Sequence, residues 1–148
     1  MDDPKVKLQA ALKEAMINKD NLRRDVIRML TSAIKQVEID TRKELSADDS
    51  MNVLQKEAKK RRETIDEAEK AGRSEMAAQE RRELAILEEF LPKQLSRDEI
   101  KALVKDAIAQ TGVTSAKEMG KLMAVLSPKV KGLADGKLVN EVVREELS

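Results

Sequence analysis

The stretch Lys129-Val130-Lys131-Gly132-Leu133-Ala134-Asp135-Gly136-Lys137 comes closest to a chemical site in this sequence. Between Lys117 and Lys137 five lysines stand against Glu118 and Asp135, a local charge of +3. Gly132 and Gly136 permit close backbone approach. Asp135 or Gly136 falls at the start of a helix, whose first N–H groups lack partners within the helix and attract anions. The chemistry this pattern offers is electrostatic: Lys129, Lys131, Lys137 and backbone N–H groups holding phosphates. It does not offer the phosphate loop of a nucleotide hydrolase. The two glycines are too close together, and Leu138 stands where Ser or Thr would hold Mg²⁺. On the residues alone, an ordinary tight turn before a helix competes with the phosphate reading.

Other clusters carry less. Lys56, Lys59, Lys60, Arg61 and Arg62 surround a single acid, Glu57. They read as a phosphate-contacting helix face or as a solvated helix with i,i+4 pairs, Glu57–Arg61 and Arg62–Asp66. Solvated pairing is the more economical account. The neighbouring carboxylates Asp48-Asp49, Glu88-Glu89, Asp98-Glu99 and Glu145-Glu146 point about 100° apart on a helix, so they share no proton site. Met119 and Met123 recur with Leu122 and Leu126 at core spacing.

The sequence has no His, Cys, Trp or Tyr and one Phe, Phe90. Imidazole and thiolate catalysis and Cys/His metal sites are therefore excluded, and no carboxylate cluster has the spacing of a metal loop. Neither a cofactor nor a metal is expected. A lone aromatic residue excludes the sheet platforms that stack a run of bases, but helical nucleic acid can still be gripped by its phosphates.

The elements that must position these residues are helical. Asp3-Pro4 reads as an N-cap and first helical position, followed by Leu8, Ala11, Leu12, Ala15 and Met16 at helical spacing. A second helix carries Val26, Leu30, Ala33, Ile34 and Val37 and is expected to end near Glu44. Ser46 with Asp49 opens a third, which holds Val53, Leu54, Ala58, Ile65 and Ala68 and stops at Gly72. Ser74 starts a fourth with Ala77, Leu84, Leu87 and Leu91. Leu91-Pro92-Lys93-Gln94-Leu95 breaks the chain, and Ser96 with Glu99 forms a capping box. Ile100, Leu103, Val104, Ala107 and Ile108 follow, closed by Gly112. Ser115 with Glu118 opens the next helix, which Ser127-Pro128 is expected to interrupt. Leu138, Val139, Val142, Val143 and Leu147 mark the last.

The expectation is an all-α, multihelical protein. Residues 1–95 form a long-helix hairpin or bundle, and residues 96–148 a small C-terminal helical bundle. With 29 basic against 28 acidic residues among 148, the surface should be laced with ion pairs rather than uniformly basic. No apolar run approaches the roughly 20 residues of a membrane span, and the start is acidic where a signal peptide is basic. A cytoplasmic protein with no membrane partner is expected.

The segment MGKLMAVLSPKVKGLADGKLVNEVVREELS at 119–148 resembles the C-terminal end of the GatB/YqeY family. LPKQLSRDEI at 91–100 and VIRML at 26–30 extend the resemblance over essentially the whole chain, and it is closest to the stand-alone YqeY-like proteins. The tail alone is similar to the end of the B subunit of glutamine-dependent tRNA amidotransferases. The matching residues are Gly120, Lys121, Met123, Lys129, Lys131, Gly132, Ala134, Asp135, Gly136, Lys137, Leu138, Val139 and Asn140. The family commonly has a basic residue after the Lys-Gly pair, where this chain has Leu133.

The resemblance implies an all-α protein of two helical parts whose tail recognises tRNA. Lys121, Lys129, Lys131 and Lys137 would contact phosphates, Gly132 and Gly136 would permit close approach, and Asn140 would hydrogen-bond a ribose or base edge, or pack the last helix. It implies as partners tRNA and an aminoacyl-tRNA synthetase or amidotransferase component. The family label also implies a carbon–nitrogen ligase with glutamine as amido-N-donor. Against independent catalysis, the chain has neither a Cys nor a nucleotide loop. The alternative function is a protein–protein adaptor that binds no RNA.

Overall fold

A computed structural model describes residues 3–148. Met1 and Asp2, on which the reading of an acidic start rests, lie outside the described residues. The elements are α1 (Pro4–Ile17), α2 (Asn21–Thr41), α3 (Ala47–Lys70), α4 (Ser74–Glu88), α5 (Arg97–Thr111), a 3-10 turn (Ala116–Glu118), α6 (Met119–Val130) and α7 (Gly136–Leu147). No strand occurs among the described residues, so the fold is all-α and multihelical. The chain divides into two compact units, Met1–Pro92 and Lys93–Ser148.

In the first unit, helix starts follow local chemistry. The Asp3 carboxylate accepts from the Lys5 N–H at 3.0 Å, with Pro4 at the first helical position. The Asp20 carboxylate caps α2 through the Arg23 N–H, and the Ser46 hydroxyl caps α3 through the Asp49 N–H. Leu8, Val26, Ile27, Leu30, Ile34, Leu54, Leu87 and Phe90 bury together as the core. Helix α2 ends at Thr41, earlier than the expected Glu44, with Arg42 in the left-handed region at φ 56°. The Glu38 carboxylate accounts for the early stop. It accepts from the Leu45 N–H at 2.8 Å and from Lys5 at 2.5 Å, turning the chain back over the end of α2. Both bonds hold the Glu38 carboxyl below its ordinary pKa, the Lys5 bond being the stronger cause.

Beyond this core, α3 and α4 run on together around Ile65, Ala68 and Ala77. The expected Glu57–Arg61 pair does not form. Arg61 instead reaches across to α4, donating to Glu80 at 2.9 Å and Glu83 at 3.0 Å, while Glu57 pairs with Lys60. The apolar stripe thins here, and a half-buried guanidinium between two carboxylates takes its place.

In the second unit, α5 opens with the full capping box. The Ser96 hydroxyl accepts from the Glu99 N–H, and the Glu99 carboxylate accepts from the Ser96 N–H. That backbone bond, with the Ser96 hydroxyl, lowers the Glu99 pKa. Gly112 closes α5 at φ 69°, a conformation glycine adopts without strain. Ile100, Val104, Leu122, Leu126, Val139, Val142 and Val143 form the core.

Two sequence expectations fail in this unit. Ser115 makes no side-chain cap, and a 3-10 turn precedes α6. Nor does Pro128 interrupt α6, which continues to Val130. Pro128 stands in the last turn, so its missing N–H affects only the Ala124 carbonyl four residues back. Leu126 and Val130 are buried on either side of it and hold the helix against the core.

Candidate functional site

The turn between α6 and α7 is built by backbone bonds. The Lys131 N–H donates to Ser127 O at 3.0 Å, and the N–H groups of Leu133 and Ala134 both reach Val130 O. Gly132 supplies the left-handed residue, at φ 74°. The linker straps the turn from outside. The Leu95 N–H donates to Leu133 O at 2.7 Å, and the Gln94 amide to Gly132 O at 3.2 Å. Asp135 then caps α7, its carboxylate accepting from the Lys137 N–H.

Between α6 and α7 this arrangement leaves an open groove of about 880 Å³. Met123, Ala124, Pro128, Val130, Ala134 and Val139 give it apolar walls, while Ser127, Lys131 and Asn140 add polar groups. A Cβ added at Gly136, on the groove wall, would meet nothing within 4 Å. The floor is therefore open to an approaching group.

Three of the seven residues singled out from the sequence line the groove: Lys131, Gly136 and Asn140. Gly132 shapes the turn behind it. Lys137 is exposed in the first turn of α7. Lys121 lies one stripe out, seven residues before Pro128 on the same face of α6. Lys129 is on a different flank, about 160° round the helix from Ser127. The groove residues and Lys129 are thus not one cluster. Arg144, not among the residues singled out above, is exposed and falls one turn after Asn140 and two turns after Lys137. The i, i+3, i+7 spacing of Lys137, Asn140 and Arg144 was the available signal.

Charge in this unit is sorted by helix edge. Arg97 of α5 pairs with Glu141 at 3.7 Å and with Glu145, and Lys101 pairs with Glu146 at 3.8 Å. The Arg97 pairs are exposed and the Lys101–Glu146 pair is half-exposed, so they add little stability. Their consequence is electrostatic: the acids of α7 are matched by α5. Lys121, Lys129, Lys131 and Arg144 have no ion-pair partner among the described residues. The result is unmatched positive charge, Lys131 and Arg144 beside the apolar groove and Lys129 on another flank, of a kind that can hold phosphates or another polyanion.

Among the described residues, no group of acidic side chains could hold a metal ion, and no helix is long and apolar enough to cross a membrane.

Comparison with known proteins gives two yeast relatives, each named "Altered inheritance of mitochondria protein 41, mitochondrial". The Kluyveromyces lactis protein is 39% identical over 101 residues, covering 66% of this chain and 54% of the relative. The Lachancea thermotolerans protein is 37% identical over 90 residues, covering 60% of this chain and 48% of the relative. The chain thus spans about half the length of these relatives. A family model described as "Yqey-like protein" matches residues 5–147, which takes in both helical units and the whole groove. The chain belongs to the YqeY-like protein family.

Proposed function

We propose that this chain is a tRNA-binding accessory protein that grips RNA phosphates with the basic edge of its C-terminal unit. The observation that carries the reading is the sorting of charge. The acids of α7 are paired with α5, leaving Lys131 and Arg144 beside the groove, and Lys121 and Lys129 on α6, without ion-pair partners among the described residues; Lys137 adds its charge in the first turn of α7. Gly132 and Gly136 keep the backbone low where a phosphate would approach. The resemblance of the tail to the amidotransferase B subunit supports tRNA as the nucleic acid. Recognition in this reading rests on RNA shape and phosphate position.

The test is binding of labelled tRNA by anisotropy over a salt series, with duplex DNA as control. Each phosphate contact contributes about 0.7–0.9 to the log–log salt slope. The expected result is a preference for tRNA, and a shallower slope in a folded Lys129→Ala, Lys131→Ala, Lys137→Ala protein. Absence of binding at low salt would refute the reading. The proposed setting is the cytoplasm, with the mitochondrion, which both relatives carry in their names, as the alternative that locating a tagged chain in cells would decide.

One observation favours a second reading, a protein–protein adaptor docking onto a synthetase or amidotransferase component. Helix α1 buries Leu8 and Ala15 on one face yet leaves Val6 63% and Ile17 71% exposed on the other. A helix apolar on both faces suits burial on both. A partner captured without RNA, independent of salt and lost in Ile17→Lys, would support this reading.

A further inference from the structure

We infer that the groove between α6 and α7 takes one unpaired base of the bound RNA, with the Asn140 carboxamide reading the edge of that base. The inference rests on the tRNA-binding reading above and adds to it a subsite for a nucleobase. The groove volume, about 880 Å³, is in the range of sites that hold small organic ligands. Its walls at Met123, Ala124 and Val139 are apolar. A flat ring pulled out of its stack packs on such surfaces, and the Met123 thioether makes favourable contacts with aromatic rings.

The polar groups fit a heteroatom-edged ring. Asn140 is exposed and has no hydrogen-bond partner among the described residues. A carboxamide presents one acceptor and two donors side by side, the pattern that pairs with adenine. Pro128, also in the groove wall, brings no N–H to the Ala124 carbonyl one turn back. Lys131 at the mouth and Arg144 one turn beyond Asn140 are positioned to hold the flanking phosphates.

An apolar protein helix suits the groove less well. It would bury Asn140 and Ser127 against carbon and leave them without partners, which is costly. The site takes one base, not a run. Phe90, the only aromatic residue, is buried in the N-terminal unit, so no stacking platform exists.

The experiment compares two RNA hairpins of equal length, one fully paired and one with a single bulged adenosine. Affinity is measured by anisotropy beside tRNA, and the methyl signal of Met123 is followed by NMR. The expected result is about tenfold tighter binding of the bulged hairpin, with the Met123 signal moving on that RNA alone. Asn140→Ala and the groove-filling Ala124→Leu, each checked for folding by circular dichroism, should erase the difference between the hairpins. Equal affinity for both hairpins while tRNA still binds would overturn the base subsite and leave the tRNA reading standing. No tRNA binding at low salt would overturn both. A Met123 signal that moves with an acidic amphipathic peptide but not with the bulged hairpin would assign the groove to a protein partner and overturn the inference.

Discussion

Gly132 sits at φ 74°, where a side chain costs about 1–2 kcal/mol. Gly132→Ala should lower stability by that amount in urea denaturation. Gly136→Ala, at a helical position where a Cβ meets nothing, should be neutral or stabilise by up to about 1 kcal/mol. Glu38 sets the pH response of the N-terminal unit. Bonds from Lys5 and the Leu45 N–H lower its pKa, so its contribution is complete above the ordinary carboxylate range. The contribution is lost as pH falls through the depressed value. Lys5 is raised mainly by its Glu38 hydrogen bond, so the same pair also weakens at high pH, as Lys5 deprotonates. With no His or Cys, stability should be flat between about pH 5 and pH 9. Glu38→Gln should melt below wild type at neutral pH, and the gap should close as pH falls below about 4. A gap that persists at low pH would remove Glu38 from the acid response.

At the scale of elements, local chemistry was legible where it acts alone. Asp3-Pro4, Ser96 with Glu99, and Gly112 specify helix ends through bonds spanning only a few residues, and all three form. Ser115 with Glu118 has the same letters, but a 3-10 turn takes the chain before a cap can form. Pro128 reads as a break, yet burial of Leu126 and Val130 outweighs one lost helix bond. Helical spacing predicts Glu57 for Arg61, but its partners Glu80 and Glu83 lie on another helix, beyond the reach of i,i+4 pairing. Arg61→Ala would leave two half-buried carboxylates facing each other and should destabilise the α3–α4 pair by about 2–3 kcal/mol. Arg61→Met, which keeps the stem, should recover part of that loss. Ser50 presents the opposite case. It is fully buried and its hydroxyl has no partner among the described residues. Ser50→Ala should cost nothing or stabilise by up to about 1 kcal/mol in thermal denaturation.

At the scale of the whole molecule, a net charge of +1 hides the feature that matters. The sequence shows lysines gathered between 117 and 137, and its spacing puts Arg144 on one face with Lys137 and Asn140, but it does not show which acids α5 matches, which depends on contacts between helices. Nor could it show that Lys129 falls on another flank, since that depends on α6 continuing through Pro128. The all-α class was legible from helical spacing alone, whereas the groove exists only once α6 and α7 both pack against α5. The most direct test of the account compares tRNA salt slopes for two folded triple variants. One is Lys131→Ala, Lys137→Ala, Arg144→Ala; the other, in the charge-rich α3, is Lys56→Ala, Lys59→Ala, Lys60→Ala. The account predicts that the first loses about two units of slope and the second loses none. Equal losses in both, or a loss confined to the second, would contradict it.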